Sequence, residues 1–372
     1  MREEAEMRKY RIFVINPGST STKLSMHEND RMVFSTDVFH DSSFLKTFET
    51  INDQLDYRME VVEQFLAENN IDLTGIDAIV GRGGGCYPVP SGIYEVDEEL
   101  VKDTREARGG LYHSSMLGVQ MAQRLHKKYG GLCLMIDPPV VDELDDVARI
   151  TGVKGIYRKA ICHALNLKAT AKKHAEVIGK KYEDCRFIVC HIDGGISITA
   201  HKNGRMIDGN DAGGGEGPFT PTRMGTMAVT DFNNKMRDLS YEEVRSLCSQ
   251  TGGLSSHFGT SNSDEIHKRI ENGDKEGEMV WQAMIYQVCK YIGAMAVVLE
   301  GKVDAIVLTG GLCRFDDIID GIKEKCGWIA PIAVYPGEIE HVSMALGALK
   351  VLRGEETVKQ YSKEVARQHP KD

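Results

Sequence analysis

Asn16-Pro-Gly-Ser-Thr-Ser-Thr-Lys23 gathers an amide, the hydroxyls of Ser19, Thr20, Ser21 and Thr22, and a lysine into one short stretch. Hydroxyls and backbone N–H groups at a tight bend, with a lysine beside them, suit phosphate oxygens. Taken alone, the stretch also reads as a solvated Ser/Thr-rich turn. Two arginines stand out for their surroundings. Arg82 lies in Gly81-Arg-Gly-Gly-Gly85, and Arg223 follows a run of glycines and prolines from Asp211. A guanidinium among glycines has little to pack on and is a rigid donor fork for an anion. A structural ion pair is the other reading of Arg82. Asp137 precedes two prolines at the end of an apolar run, as a cleft acid or a plain strand terminator. His113 follows a Gly-Gly break, and His163 lies in the first turns of a helical stretch.

The elements that must position these groups are legible from their periodicity. Ile12 to Ile15 is an apolar, β-branched strand, followed by a loop over Asn16 to Thr22, a second strand from Lys23, and a turn at Glu28-Asn29-Asp30. Ile51 to Asn70 reads as a helix with Val61, Val62, Phe65 and Leu66 on one face. Ile76 to Val80 is a short buried strand that delivers Arg82 at its C-terminal end, a cleft position in α/β sheets. Glu98 to Gln123 is mostly helical, broken at Gly109-Gly110 and carrying His113, and Leu132 to Ile136 is a strand leading to Asp137. Tyr157 to Ile178 reads as one long helix with Arg158 and His163 in its first turns. The glycines and prolines from Asp211 exclude regular structure there and suggest a mobile loop presenting Arg223. Met279 to Leu299 and Ser343 to Leu352 are further helices, and Gly354 to Asp372 is a peripheral helix or frayed tail.

The chain repeats itself. Arg186 to Ile207 has the same order as Arg11 onward: arginine, apolar strand, glycine-containing bend, strand, Asn-containing turn, Arg-Met. Val303-Asp-Ala-Ile-Val-Leu-Thr-Gly-Gly-Leu-Cys313 likewise repeats Ile76-Asp-Ala-Ile-Val-Gly-Arg-Gly-Gly-Gly-Cys86. Two ordered matches imply a duplicated α/β domain, with extra residues of the second copy in Asp208 to Lys275.

Composition sets bounds. The 372 residues are enough for two domains, and 41% hydrophobic with 27% charged residues describes a globular chain. A net charge of −10 argues against general nucleic-acid binding. No run is long enough to span a membrane. MREEAEMRKY lacks the apolar core of a secretory signal and reads as a short extension before the first strand. Nine scattered cysteines without a C-x-x-C pair read as reduced thiols of a cytoplasmic protein, and no structural zinc pattern is present. There is no G-x-x-x-x-G-K-[ST], no G-x-G-x-x-G opening a helix, and no protein-kinase motif set. Two phosphate-suited hairpins in two related halves imply a nucleotide held between them.

At this point the chain resembles the acetate and sugar kinase, heat-shock chaperone and actin superfamily. Asn16-Pro-Gly-Ser-Thr-Ser-Thr-Lys23 is similar to the opening signature of the short-chain carboxylate kinases (the acetokinase family). Gly81-Arg82-Gly83-Gly84, His191-Ile-Asp-Gly-Gly195, Pro221-Thr-Arg223, Leu308-Thr-Gly-Gly311 and Tyr335-Pro-Gly-Glu338 agree with it, and in detail the pattern is similar to the butyrate kinase branch. The resemblance runs from about Tyr10 to Gly354. It implies duplicated ribonuclease H-like (actin-like ATPase) domains with an interdomain nucleotide cleft. Residues 1–163 with 341–372 would form the first domain and 164–340 the nucleotide-binding one. It further implies ATP-dependent phosphorylation of a short carboxylate to an acyl phosphate with Mg²⁺, in a homo-oligomer that is at least a dimer.

By the same resemblance, Asn16 and Glu338 sit at the metal, with Glu340 competing for the second place. Ser19, Ser21 and Lys23 form the first phosphate hairpin. Arg82 and Arg223 bracket carboxylate and γ-phosphate, Asp137 is the cleft aspartate, His163 contacts the transferring phosphoryl group, and His113 matches a second family histidine. Where acetate kinases carry Gly-Asn-Gly, this chain has Asp193-Gly194-Gly195, which leaves the N–H groups of Gly194, Gly195 and Ile196 as the second cradle. Gly310 and Gly311 match glycines against the nucleotide. Acetate kinases narrow their pocket with a valine after the arginine and a phenylalanine before the helix histidine. Gly83-Gly84 and Cys162 stand there here, which implies room for a four-carbon acid. An acetate or propionate kinase is the alternative, and a sugar kinase using Asp137 as base and an ATP-gated chaperone are further rival readings.

Overall fold

The computed structural model describes residues 8–365. The expected N-terminal extension falls mainly on residues outside that range, as does the tail beyond residue 365. The described residues form two units. One takes in the residues up to Val141 and those from Glu340 onward, and the other runs from Asp142 to Ile339. The first break therefore falls ahead of the 163/164 boundary expected from the sequence.

In the first unit, strands β1 (Arg11–Pro17), β2 (Ser21–Glu28), β3 (Arg31–Phe39), β4 (Ala78–Gly81), β5 (Ile93–Glu95) and β6 (Leu132–Ile136) build a sheet in the order β3-β2-β1-β4-β6-β5. Strands β1, β2 and β3 are antiparallel, whereas β1, β4 and β6 run parallel. Ile12 to Ile15 is buried without a break, as expected of a strand covered on both faces. The helices Met116–Tyr129 and Glu340–Leu352 both pack on β1, β4 and β6.

The second unit repeats the plan. Strands β7 (Arg186–Ile192), β8 (Ile196–Lys202), β9 (Arg205–Gly209), β10 (Ala305–Gly310) and β11 (Ile332–Pro336) lie in the order β11-β10-β7-β8-β9. That is the order of β6-β4-β1-β2-β3, with the same antiparallel hairpin and the same parallel neighbours. The duplication extends to a defect. The pairing slips between Met26 and His27 in one unit, and between Ala200 and His201 in the other. Each histidine at the bulge is buried and bonds the hydroxyl two residues earlier, His27 Nε2 to Ser25 at 3.0 Å and His201 Nε2 to Thr199 at 2.8 Å. A bulge kept at the same place in both copies behaves as a built feature.

Several expectations change in the structure. The first hairpin bend is tighter than expected: β2 starts at Ser21, so only Gly18, Ser19 and Thr20 lie between the strands. His113 lies off the helix, in the turn between Glu98–Arg105 and Met116–Tyr129. The helix expected from Tyr157 starts at Ala164, because Tyr157 pairs with Ile150 in an isolated bridge and Arg158 is drawn to Asp208 and Glu216. The inserted stretch is partly helical, with helices at Val229–Met236, Tyr241–Ser249, Leu254–Phe258 and Ser263–Glu271. Ser240 and Glu243 form a reciprocal capping box on the second of these. The tail is anchored at Tyr361, fully buried, whose hydroxyl donates to Asp103 at 3.0 Å and accepts from Tyr87 N–H at 3.0 Å. Among the described residues no helix is long and apolar enough to cross a membrane. All nine cysteines are free and buried.

Candidate active site

In the first unit, β4 carries Arg82 just past its end, and the helix Met116–Tyr129 presses on that turn. A Cβ on Gly118 would lie 2.8 Å from Arg82 N, so only glycine allows the approach. The Arg82 guanidinium is buried and ion-paired through Nη2 to Glu340 Oε1 at 2.8 Å. The other carboxylate oxygen of Glu340 accepts from Asn16 Nδ2 at 3.1 Å. Asn16 comes from the end of β1 and Glu340 opens the last long helix, so one acid joins two sequence-distant groups. Arg82 thus proves to be ion-paired, yet its pairing is incomplete. Among the described residues, Nη1 is buried and has no acceptor.

Around this triad, Lys23 lies across the hairpin from Asn16. His341, next to Glu340, bonds Ser25 Oγ through Nδ1 at 2.8 Å. Burial, and then the charge of Lys23 and neighbouring groups, push its pKa down to about 3, so it is neutral. Ser19 is exposed and Ser21 half-buried at the bend. His113 is exposed, with Nδ1 bonded to Ser115 at 3.1 Å. Ser115 in turn abuts Gly84. Asp137 is buried and adopts φ 37, a strained backbone for a non-glycine residue. Its carboxylate accepts from Gly92 N–H at 2.7 Å, which ties β6 to the turn before β5.

Gly83 and Gly84 do not open the space expected of them. A Cβ at Gly83 would run into Met135 and lie 2.8 Å from Pro138 Cβ, and one at Gly84 would meet Ser115 Oγ at 2.5 Å. Neighbouring side chains already fill the space left by the missing ones.

In the second unit, Arg223 lies against the second hairpin. A Cβ on Gly195 would overlap its guanidinium. Nη1 donates to the carbonyl of Ala212, while Nε is buried and among the described residues has no acceptor. Burial lowers the Arg223 pKa, opposed by the nearby Asp211 charge. The loop is held by Thr220 and Thr222, whose hydroxyls donate to Gly194 O at 2.6 and 2.8 Å. It is fixed through those contacts rather than loosely presented.

The second cradle differs from expectation. Gly194 N–H donates to Asp193 Oδ1 at 2.8 Å, and Gly311 N–H donates to Asp193 Oδ2 at 2.6 Å. Asp193 thus engages one of the three expected cradle donors, Gly194 N–H, and also the N–H of Gly311, expected against the nucleotide. Ile196 opens β8 opposite Ile192. Gly310, at φ 101, lies against the Ile192 backbone.

His163 immediately precedes the helix Ala164–Val177, bonds Ser197 Oγ at 2.8 Å, and stacks on His191 with ring centroids 3.9 Å apart. His191 Nδ1 accepts from Asn166 at 2.9 Å, which leaves its proton on Nε2, 3.6 Å from Glu338 Oε1. His191, Asp193 and Glu338 offer ligand atoms within 4.8 Å of one another. The two carboxylates are the hard oxygen ligands a Mg²⁺ takes, whereas His191 would first have to release its Nε2 proton. Of the two glutamates weighed for the metal, Glu340 is the one bonded to Asn16, and Glu338 faces His191. His191, Asp193 and Asn166 were not singled out as site residues. The buried His before an Asp-Gly-Gly bend was their only sequence signal.

Comparison with known proteins identifies the family of the chain. Residues 151–319 match the model of the acetokinase family. A protein of Clostridium botulinum (strain Alaska E43 / Type E3) named "Probable butyrate kinase" is 42% identical over 354 residues, 95% of this chain and 99% of its own. Another of that name from Coprothermobacter proteolyticus is 42% identical over 359 residues, with the same coverage. Porphyromonas gingivalis acetate kinase shares the fold, with a TM-score of 0.73, 19% identity, and coverage of 92% of this chain and 100% of that one. The chain belongs to the acetokinase family.

Proposed function

We propose that the chain is a butyrate kinase. It transfers the γ-phosphoryl group of ATP directly to butyrate or a branched short-chain acid, giving the acyl phosphate and ADP, reversibly. The observation that carries this reading is that two buried guanidinium N–H groups, Arg82 Nη1 and Arg223 Nε, have no acceptor among the described residues. A buried donor is rarely left unmatched, and anionic oxygens are the acceptors that satisfy arginine best. A carboxylate and a phosphoryl group supply such oxygens. The identity to two probable butyrate kinases supports the choice of acid.

The chemistry asks little of a base. A short carboxylic acid has a pKa close to that of Asp or Glu, about 4, and is ionised at neutral pH. The protein's work is to hold two anions in line and to stabilise charge on the group in transit. Arg82 and Arg223 act on the carboxylate and the γ-phosphate. His163, held by Ser197 and His191, is the neutral or cationic donor to the transferring phosphoryl group. Asn16 with Glu340, and Asp193 with Glu338, are the oxygen ligands available to Mg²⁺, which when bound neutralises phosphate charge. Ser19, Ser21 and Lys23 take phosphate oxygens at the first bend, and Gly310 and Gly311 lie against the nucleotide. A homo-oligomer, at least a dimer, and a cytoplasmic location complete the proposal.

The second reading is an acetate or propionate kinase, favoured by the filled space beside Gly83 and Gly84. Hydroxylamine trapping of acyl phosphate across acetate, propionate, butyrate and isobutyrate separates the two. Highest kcat/KM on a four-carbon acid is expected, highest on acetate selects the second reading, and ATP hydrolysis without any acyl phosphate rejects both.

A further inference from the structure

Arg58 is a charged residue in an apolar stripe. It lies in the helix Leu55–Glu68 among the buried residues Leu55, Met59, Val62 and Leu66, and is itself completely inaccessible. Its guanidinium donates to the carbonyls of the first hairpin bend: Nη1 to Gly18 O at 2.9 Å and Ser21 O at 3.4 Å, and Nη2 to Ser19 O at 3.0 Å. Nε donates to Gln54 Oε1 at 3.1 Å, one turn back on the helix. Among the described residues no carboxylate pairs with it. Burial lowers its pKa to about 10, which keeps it charged at neutral pH. His40, bonded to Thr22 beside it, is held neutral with a pKa of about 4, chiefly by burial and then by the Arg58 charge.

A trans peptide is planar, with its C=O and N–H opposed. Turning the carbonyls of Gly18 and Ser19 inward to Arg58 therefore turns the N–H groups of Ser19 and Thr20 outward. Both of those residues are exposed. The result is two adjacent outward donors over a buried, unneutralised cation, an arrangement that favours a multiply charged anion. We propose that Arg58 is a positioning residue for the terminal phosphate of ATP. It fixes the Gly18–Ser21 bend from behind with its donors facing the γ-phosphate, an inference that rests on the kinase reading above.

The test is equilibrium binding of MgATP and MgADP to the full-length protein and its Arg58→Lys and Arg58→Met variants. Loss of the clamp should raise the Kd for ATP about tenfold in Arg58→Met, with less effect in Arg58→Lys, which keeps the charge. The Kd for ADP, which lacks the γ-phosphate, should move less than twofold. Equal weakening of both nucleotides, or no change in either, overturns the proposal. If the variants fail to fold, amide hydrogen exchange on the unaltered protein decides. Ser19 and Thr20 amides should be protected more by a non-hydrolysable ATP analogue than by ADP, and equal protection overturns the role. Wild-type protein that binds neither nucleotide overturns the kinase reading itself.

Discussion

Glu340 Oε1 lies 2.8 Å from Arg82 Nη2, with both side chains almost fully buried. The pair joins the turn after β4 to the start of the last long helix, and Asn16 completes it from the end of β1. A buried ion pair gains little net stability, because desolvating two charges offsets their attraction. Its value here is that Arg82 is held at a fixed angle with Nη1 left over.

Breaking the pair from one side should therefore be costly. Glu340→Ala leaves a buried guanidinium uncompensated and should lower stability by about 3–5 kcal/mol. The double variant Arg82→Met/Glu340→Leu should recover most of that loss while remaining inactive. Arg82→Lys should fold and lose about 10³-fold in kcat/KM for the acid, since an ammonium cannot replace the fork. Urea unfolding with acyl phosphate trapping measures both effects, and an active double variant would exclude Arg82 from the chemistry.

Gly195 tests Arg223. The atoms that an added Cβ would meet are the far end of the Arg223 side chain, which can swing aside at small cost to the fold. Gly195→Ala should change stability by less than about 1 kcal/mol and cut kcat about 10²-fold through misplacement of the guanidinium. In a double-mutant cycle with Arg223→Ala the two losses should not add. Additive losses would mean that Gly195 acts independently of the arginine.

The duplication was readable in the sequence because buried parallel strands must be continuous apolar runs, and two such runs led into matching glycines. The shared order β3-β2-β1-β4-β6 and β9-β8-β7-β10-β11 is the physical form of that repeat. Arg82, Arg223 and Asn16 were visible because unusual neighbours surround them. The clamp of Arg58 was not, since a single arginine in a helical stripe looks like a solvated residue until the hairpin carbonyls are placed over it. The choice between Glu338 and Glu340 was equally hidden. Two residues apart at the start of a helix, they face different partners, and only the backbone path decides which meets Asn16. The helix misread from Tyr157 shows the reverse error: ion pairs from Arg158 to Asp208 and Glu216 outweigh local helical propensity.

Gly83 should prove to be a packing requirement rather than an opening. Gly83→Ala drives a methyl into Met135 and Pro138, and overpacking of this kind costs about 1–3 kcal/mol. Met135→Ala alone opens a cavity and costs about 2–5 kcal/mol. The double variant should be more stable than the sum of the two losses predicts, because the new methyl enters the space that Met135 vacates. Strict additivity in chemical denaturation would show that the two sites do not share that space.

Five buried histidines with lowered pKa values, among the described residues, give the fold an acid limit. Burial lowers the pKa of His27 and His174, takes His40 to about 4, and takes His201 and His341 to about 3. His40, His201 and His341 stay neutral in the folded protein well below the 6.5 at which the unfolded chain titrates. Below 6.5 the unfolded state binds more protons, so stability rises with pH in that range. It is fully present above about 6.5 and is lost progressively as pH falls toward the folded values. At pH 5.5 each of His40, His201 and His341 should cost about 1.4 kcal/mol. His201, buried between Tyr182 and Thr199 and away from the proposed chemistry, gives the clean test. His201→Gln should be less stable at pH 7.5, yet its further loss between pH 7.5 and 5.5 should be smaller than that of the unaltered protein by about 1.4 kcal/mol. An unchanged pH dependence would mean that His201 is protonated in the folded state, and that its bonds to Tyr182 and Thr199 hold an imidazolium.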